Sequence, residues 1–217
     1  MLKAIIFDFD GVILDTNGIK ENAFFELFPE KFASIAHPVI KKSERQSRKI
    51  VIRNCVEEIE KETGTLPQGY DYYLDKYTDM TQNKVLDSPE IQGATAALDL
   101  LSKKYSLFVL TATPDAQIEE IIEARGYTQF TKVYGSDSGS KPEVARILLA
   151  ENNLKSEEVI YIGDGWNNLA CAKELEFVFI GIINHLNDFA TNPRVLHKLE
   201  DLQKLPDLIE EISASHF

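Results

Sequence analysis

The sequence predicts an α/β fold, a doubly wound parallel sheet with helices packed on both faces. Short apolar runs alternate with helical patterns of about ten to fifteen residues, which is typical of βαβ units. The runs are apolar at nearly every position, as expected for strands buried on both faces of a parallel sheet. One connection is much longer than a simple crossover, so we also predict an inserted segment.

Five apolar runs predict the strands of this Rossmann-like core. The first lies almost at the start of the chain, and the other four lie in its second half. In order, they are Ala4 to Phe7, Leu107 to Leu110, Lys132 to Tyr134, Val159 to Ile162, and Phe177 to Ile183.

Apolar residues at helical spacing separate these runs and predict the packing helices of the core. A glycine, Gly126, ends one of them, as glycine commonly does after the last helical turn. We predict a final docking helix within Leu199 to Ile212, started or interrupted by Pro206. The other predicted core helices are Thr95 to Lys104, Ala116 to Arg125, Glu143 to Asn152, and Leu169 to Leu175.

The long connection follows the first strand, where α/β proteins usually have about 2–6 loop residues and one helix. It contains three helical patterns, Ile19 to Phe28, Ile40 to Glu62, and Tyr70 to Met80. Pro29 closes the first, because the residue before a proline disfavours the helical region. We therefore predict a catalytic core of residues 1–15 and 86–217 and a helical cap domain of residues 16–85. The alternative is an insert that only adds packing.

Composition limits the class of partner. The chain has 217 residues, 44% of them hydrophobic, enough for one α/β domain with a modest insert. It carries 35 Asp and Glu against 23 Lys and Arg, and this net charge of −12 argues against a nucleic-acid partner. No apolar run approaches the ~18–20 residues of a membrane span, and a strand pattern starts the chain, so we expect no membrane partner and no signal peptide. We expect a cytoplasmic protein, and nothing in the sequence indicates its oligomeric state.

The two cysteines do not suggest chemistry. Cys55 and Cys171 are far apart and lie in helical patterns, so we interpret both as buried, unreactive thiols. Neither is followed by an arginine six positions later, which excludes the loop of a cysteine-based phosphatase. Any phosphate chemistry must therefore come from other residues.

Two aspartates, Asp8 and Asp10, directly follow the first predicted strand. Side chains two apart on a strand point the same way, and ligands of open α/β sheets bind at the carboxyl ends of strands. Two carboxylates crowded at such a place usually need a cation or a shared proton. A turn before Gly11 is the alternative role for this pair, although the flanking phenylalanines make it a poor sole reason for their presence.

Polar residues also follow other predicted strands. Thr111 comes directly after one apolar run, and Asp164 comes one glycine after another. Lys141 ends a loop at a predicted helix start, where its charge opposes the helix dipole. We interpret it as a cation placed to meet an anion. Taken singly, each of these residues also fits an ordinary local role: a turn toward Pro114 for Thr111, a helix cap for Asp164, and a solvated position for Lys141.

Together, these strand ends resemble the signature of the haloacid dehalogenase-like (HAD) superfamily. The resemblance extends over essentially the whole chain, and the four motifs occur in the superfamily's order. The inserted helical segment resembles the branch shared by phosphoglycolate phosphatases and β-phosphoglucomutases. The motifs are Phe7-Asp8-Phe9-Asp10-Gly11-Val12, Leu110-Thr111-Ala112-Thr113-Pro114, Ser140-Lys141-Pro142, and Ile162-Gly163-Asp164-Gly165-Trp166-Asn167-Asn168.

The resemblance implies a Mg²⁺-dependent phosphatase with a small phosphorylated metabolite as substrate. Asp8 would be the nucleophile and form an aspartyl-phosphate. Asp8, the backbone carbonyl of Asp10 and Asp164 would bind the Mg²⁺. Lys141 would stabilise the transition state, Thr111 would donate to a phosphoryl oxygen, and Asp10 would act as general acid and base.

Substrate contacts are expected from the cap and from two of the motifs. Arg45 and Arg48 have the chemistry to grip a carboxylate or a second phosphate, although an exposed helix face accounts for them equally well. Asn168 stands where the superfamily usually has a second acid, and its amide oxygen still has the capacity to orient a metal-bound water. The remaining candidates are Lys20 and Ala112.

Two other functions remain open. A phosphomutase of the same superfamily would share the core residues, and a non-catalytic binding protein would share the fold. A dehalogenase is disfavoured, because the superfamily's dehalogenases have no acid at the position of Asp10 and need no metal. The substrate itself is not indicated, because one fold hosts many specificities.

Overall fold

The computed structural model describes residues 1–43, 46–65 and 68–216. The chain divides into two compact units. We call residues 1–15 with 89–217 the core unit, and residues 16–88 the helical unit. The core unit contains the sheet and its packing helices, and the described residues of the helical unit form helices and no strand.

The described part of the core unit contains a six-stranded sheet in which every neighbouring pair is parallel. The strand order is β3-β2-β1-β4-β5-β6, so β1 lies between β2 and β4. The predicted doubly wound parallel sheet is therefore confirmed. The strands are β1 (Ala4–Phe7), β2 (Ser106–Leu110), β3 (Phe130–Tyr134), β4 (Val159–Gly163), β5 (Val178–Ile182) and β6 (His197–Leu199).

Helices make up the helical unit and flank the sheet in the core unit. In the helical unit they are α1 (Asn17–Leu27), α2 (Ala33–Lys42), α3 (Arg48–Thr63) and α4 (Tyr70–Leu86). In the core unit they are α5 (Ala94–Leu101), α6 (Asp115–Arg125), α7 (Lys141–Glu151), α8 (Trp166–Glu174) and α9 (Leu205–His216). In the part of the chain that the structure describes, none of these helices combines the length and the apolar character that crossing a membrane requires.

Burial explains why the central strands form where they do. Every residue of β1 and β4 is buried, and each fully buried large aliphatic side chain contributes about 1.5–3 kcal/mol. The strands are in register, with Phe7 of β1 opposite Val109 of β2 and Ile162 of β4. The carboxyl ends of these three strands therefore finish at the same edge of the sheet.

The end of the chain differs from the prediction. Residues 197–199 form a sixth strand that was not predicted from the sequence. Its three residues are only half-buried at the sheet edge, so they do not form an apolar run. The last helix starts at Leu205, which agrees with the predicted start near Pro206 and leaves Leu199 outside the helix. Pro206 lies in its first turn, where a missing backbone N–H costs little.

The helical unit also differs from its prediction in one respect. The predicted helix Ile40 to Glu62 is interrupted, because α2 ends at Lys42 and α3 begins at Arg48. Ser47 has an extended backbone and directly precedes α3, a position that serine favours. The interior of the unit is aromatic, with the Tyr77 ring stacked on Phe24 and the Tyr73 ring tilted against Phe28.

Both cysteines are buried and form no disulfide, which confirms the expectation of buried thiols. Burial raises the pKa of Cys55 to about 12. Burial also raises the pKa of Cys171 to about 11. Neither thiol is therefore ionised at neutral pH.

Candidate active site

The carboxyl ends of β1, β2 and β4 bring most of the predicted site residues to one edge of the sheet. The Asp8 backbone N–H donates to the Ile162 carbonyl of β4 at 2.8 Å, so the sheet pattern continues past β1. The Thr111 backbone N–H likewise donates to the Tyr134 carbonyl of β3 at 3.0 Å. Asp164 directly follows β4. The backbone positions of these side chains are thus set by the sheet itself.

Asp8 is held by three donors. Its Oδ1 accepts the Phe9 backbone N–H at 2.8 Å. Its Oδ2 accepts Lys141 Nζ at 2.6 Å and Asn168 Nδ2 at 2.8 Å. Asp8 and Lys141 form an ion pair in which each side chain is only 10% exposed. A buried ion pair is sustained by good geometry and additional hydrogen bonds, and both are present here.

Lys141 is the first residue of α7. At the helix start, Glu143 Oε2 accepts the Ser140 backbone N–H at 2.9 Å and the Ser140 hydroxyl at 2.6 Å. Burial lowers the pKa of Lys141, but the acidic groups around it, Asp8 foremost, together outweigh burial and raise the pKa above its ordinary value. Tyr161 and Asp164 act in the same direction as Asp8. The predicted cation therefore does meet an anion.

Asp10 is held by two threonine hydroxyls. Its Oδ2 accepts Thr113 Oγ1 at 2.9 Å and Thr111 Oγ1 at 3.4 Å. Gly11 follows in the left-handed region, at φ 71°, and allows the sharp turn after the motif. Thr113 was not among the predicted site residues. Its position two residues after Thr111, directly beyond β2, is the signal that would have indicated it.

Asp164 is oriented by the loop that follows β5. Its Oδ2 accepts Asn184 Nδ2 at 2.7 Å, and its backbone carbonyl accepts Asn187 Nδ2 at 2.8 Å. Asn187 also donates to the Ile182 carbonyl at 2.9 Å, which ties this loop to the end of β5. The prediction did not include either asparagine. Asn184 is the first polar residue after an apolar strand, the same pattern that indicated Thr111.

Asn168 is completely buried against Asp8. Its Oδ1 accepts the Gly165 backbone N–H at 2.8 Å, and its Nδ2 donates to Asp8 Oδ2 and, at 3.0 Å, to Tyr161 Oη. A Cβ on Gly163 would lie 2.5 Å from Asn168 Cβ, so this close approach requires glycine. The amide oxygen, predicted to orient a metal-bound water, accepts one hydrogen bond at the helix start and keeps a second lone pair.

Three other predicted substrate residues, Ala112, Lys20 and Arg48, belong to the described part of the chain. Ala112 lies between the two threonines and is exposed. Lys20 and Arg48 belong to the helical unit, where the Lys20 carbonyl accepts Tyr77 Oη at 3.2 Å and the Arg48 guanidinium lies 5.9 Å from the centre of the Tyr77 ring. Arg45 lies outside the described residues.

The acidic residues at the sheet edge fit a hard divalent cation. Asp8 and Asp164 follow adjacent strands, and both act electrostatically on Lys141. Two carboxylates and the Asp10 backbone carbonyl would supply oxygen ligands, which suit Mg²⁺. The described residues contain no group of three or more His, Cys, Asp or Glu side chains placed to hold a metal. The proposed ligands are two side chains and one backbone carbonyl, so the absence of a group of three side chains does not conflict with them.

Solved structures share this fold at low sequence identity. A predicted phosphoglycolate phosphatase from Haemophilus somnus is 15% identical, with a TM-score of 0.75 over 96% of this chain and 98% of that one. CbbY from Rhodobacter sphaeroides, in complex with phosphate, is 16% identical, with a TM-score of 0.74 over 94% of this chain and 96% of that one. The HAD-hydrolase YfnB from Bacillus subtilis, bound to magnesium, is 15% identical, with a TM-score of 0.71 over 96% of this chain and 99% of that one.

Sequence comparison with curated proteins gives no match. The family model of the haloacid dehalogenase-like hydrolases, in contrast, matches residues 5–182. This range begins within β1 and ends with β5, so it includes all four motifs at the sheet edge. The chain belongs to the haloacid dehalogenase-like hydrolase family.

Proposed function

We propose that this protein is a Mg²⁺-dependent phosphatase that hydrolyses a small phosphorylated metabolite, with Asp8 as the nucleophile. The observation that carries the proposal is the buried Asp8–Lys141 ion pair at the carboxyl end of the central strand. It is supported by membership of a hydrolase family and by the phosphate bound to the structurally similar CbbY.

In the first step, an oxygen of Asp8 attacks the phosphorus atom of the substrate. An acyl-phosphate bond to Asp8 forms as the bond from phosphorus to the leaving oxygen breaks. Asp10, in its protonated form, gives its proton to that leaving oxygen, so the product leaves as a neutral alcohol. General acid catalysis of this kind contributes typically about 10²–10⁴-fold.

In the second step, water attacks the phosphorus atom of the aspartyl-phosphate. Asp10, now a carboxylate, accepts a proton from that water, and the bond from phosphorus to Asp8 breaks. Inorganic phosphate leaves, Asp8 is again a carboxylate, and Asp10 is protonated for the next cycle. The Thr113 hydroxyl, which donates to Asp10, holds it in place for both proton transfers, and the Thr111 hydroxyl would donate to a phosphoryl oxygen of the substrate.

Positive charge is essential to both steps, because a carboxylate attacks an anionic phosphate poorly. Lys141 supplies a fixed charge beside Asp8 that is present before the substrate binds. Asp8, Asp164 and the Asp10 backbone carbonyl would hold Mg²⁺, which when bound supplies further charge against the phosphoryl oxygens. Asn184 and Asn187 would orient Asp164 for that ion.

The inserted residues 16–85 are proposed to act as a cap domain that selects the substrate. Within them, Lys20, Arg45 and Arg48 are the proposed contacts to the substrate's non-reacting part, and Ala112 is the proposed contact from the core unit. Guanidinium groups recognise carboxylates and phosphates through paired hydrogen bonds. The substrate would therefore carry an anionic group besides the phosphate that is removed.

The test is phosphate release by the purified protein from an aryl phosphate and a panel of phosphorylated sugars, acids and nucleotides. We expect release with Mg²⁺, little release with a chelator, and none from the Asp8→Asn variant. Borohydride reduction during turnover should convert Asp8 to homoserine, which mass spectrometry of the peptide detects. Sugar phosphate isomerisation without free phosphate would indicate a phosphomutase, and no turnover across the panel would indicate a binding protein.

A further inference from the structure

We propose that Tyr161 is a positioning residue for Asp8 and that it acts through Asn168. This inference rests on the proposed function, in which Asp8 is the nucleophile. Tyr161 is the middle residue of β4, lies in register with Ile6 of β1, and is completely buried. It is the one polar side chain of an otherwise apolar strand.

Packing accounts for the ring of Tyr161 but not for its hydroxyl. The ring meets Phe177 and Phe179 edge-on, with centroids 6.5 and 6.3 Å apart. A phenylalanine would make the same two contacts. A buried hydroxyl is costly unless it is hydrogen-bonded, and burial raises the pKa of Tyr161, so the hydroxyl stays neutral. The role of this hydroxyl must therefore come from its hydrogen-bond partner.

The hydroxyl accepts a hydrogen bond from the amide that also holds Asp8. Asn168 Nδ2 lies 3.0 Å from Tyr161 Oη and 2.8 Å from Asp8 Oδ2. The orientation of the amide is unambiguous, because the Gly165 backbone N–H donates to Oδ1 at 2.8 Å and an ionised carboxylate only accepts. Each hydrogen of the amide NH₂ group thus has its own acceptor.

Removing the hydroxyl would leave one of these hydrogens unsatisfied in a buried environment. The amide would then turn to share both hydrogens with Asp8 or to regain a partner elsewhere, and Asp8 Oδ2 would move with it. Lys141 would still hold the same oxygen, so the nucleophile would be displaced rather than released. Tyr161 itself is not proposed to touch the substrate, so the rate should change and the substrate affinity should not.

The decisive variant is Tyr161→Phe, which removes only the hydroxyl. The matched control is Tyr134→Phe, which deletes a buried tyrosine hydroxyl from β3 of the same sheet. Tyr134 Oη donates to Glu151, at the opposite end of α7 from Lys141. We expect Tyr161→Phe to lower kcat about three- to tenfold, as for one lost hydrogen bond, with KM within about twofold. Tyr134→Phe should keep the wild-type kcat.

A double-mutant cycle tests whether the effect passes through Asn168. In an Asn168→Ala background, Tyr161→Phe should have no further effect on kcat, because the connecting amide is gone. An equal loss of kcat in both backgrounds would overturn the proposal. So would a wild-type kcat in the single Tyr161→Phe variant.

Carbon-13 NMR of the Asp8 side-chain carboxyl group gives a readout that needs no turnover. The resonance, assigned by its loss in Asp8→Asn, should shift in Tyr161→Phe and stay in place in Tyr134→Phe. If the wild-type protein releases no phosphate from any substrate, the proposed function fails, while this shift still decides the positioning role. In the unaltered protein, both side-chain amide protons of Asn168 should exchange slowly with solvent. Fast exchange of either one would refute the inference even if Tyr161→Phe does not fold.

Discussion

Replacing Asn168 by aspartate would place a second carboxylate oxygen about where the amide nitrogen now lies, 2.8 Å from Asp8 Oδ2. At an effective dielectric constant of about 20, two unit charges at that distance repel by about 6 kcal/mol. Lys141 offsets part of this repulsion, because its Nζ lies 2.6 Å from the same oxygen. We therefore expect Asn168→Asp to be destabilised by about 3 kcal/mol at neutral pH without a divalent cation.

Protons and Mg²⁺ should each relieve this repulsion. The repulsion raises the pKa of a carboxyl group in the folded variant above its value in the unfolded chain. At pH values between these two pKa values, the folded state therefore binds more protons than the unfolded state. The destabilisation should then be full above the raised pKa and shrink as the pH falls toward about 4. Mg²⁺ bound between the carboxylates has the same effect at neutral pH, so the variant should depend more strongly on the metal.

Thermal unfolding with increasing Mg²⁺ concentration and at several pH values measures both effects. For a chain of this size, about 3 kcal/mol corresponds to a fall in Tm of about 6–12 °C. The control is Asn167→Asp, which adds the same charge to the same helix start at an exposed position. It should behave like the wild type. A metal-free Asn168→Asp protein with the wild-type Tm at every pH would refute the reasoning.

Three further predictions concern other contacts. Thr113→Val removes the 2.9 Å hydrogen bond to Asp10, so kcat should fall about tenfold for alkyl phosphates. The fall should be smaller for aryl phosphates, whose leaving groups need less protonation. An equal fall in kcat for both substrates would contradict this role. Asn184→Ala removes the 2.7 Å hydrogen bond to the Asp164 carboxylate and should weaken Mg²⁺ binding about 10–100-fold. Calorimetry measures this, and an unchanged affinity would contradict the orienting role. Burial lowers the pKa of His197, so the unfolded state binds more protons than the folded state, and the wild type should lose stability as the pH falls from about 7 to 5. Denaturant unfolding of His197→Gln should show a smaller loss of stability over this pH range. An equal dependence of stability on pH in both proteins would exclude this contribution.

The parts of the fold that were predictable from the sequence are those with strong burial. β1 and β4 are buried at every position because both faces are covered, so their pattern is unmistakable. The sixth strand, His197–Leu199, has three half-buried residues and pairs only at the sheet edge. Such a strand forms by hydrogen bonding to a neighbouring strand, and its own residues show no pattern that predicts it. The break between α2 and α3 was missed because a serine boundary is a weak signal beside a long helical pattern.

The candidate site likewise contains residues that the sequence predicts and contacts that it does not. Asp8, Thr111 and Asp164 were predictable because each follows an apolar run, and the ends of parallel strands meet at one edge. The contacts of Asn168 were not predictable, because they depend on how closely α8 approaches β1 and β4 in the folded chain. Tyr161 gave no signal either, because a tyrosine in a buried strand is ordinary. Only the distance from its hydroxyl to the amide distinguishes it from a packing residue.

The amide at position 168 changes the charge of the site without loosening its geometry. Three carboxylates, Asp8, Asp10 and Asp164, share this edge with Lys141, and a fourth would add negative charge that a single divalent ion must offset. The amide donates to Asp8 as a second donor beside Lys141 and adds no charge of its own. A site of this kind has less attraction for Mg²⁺ than one with a second acid, but it also repels an incoming phosphate less. We therefore expect weaker metal binding and a firmly held Asp8 as two consequences of an asparagine at position 168.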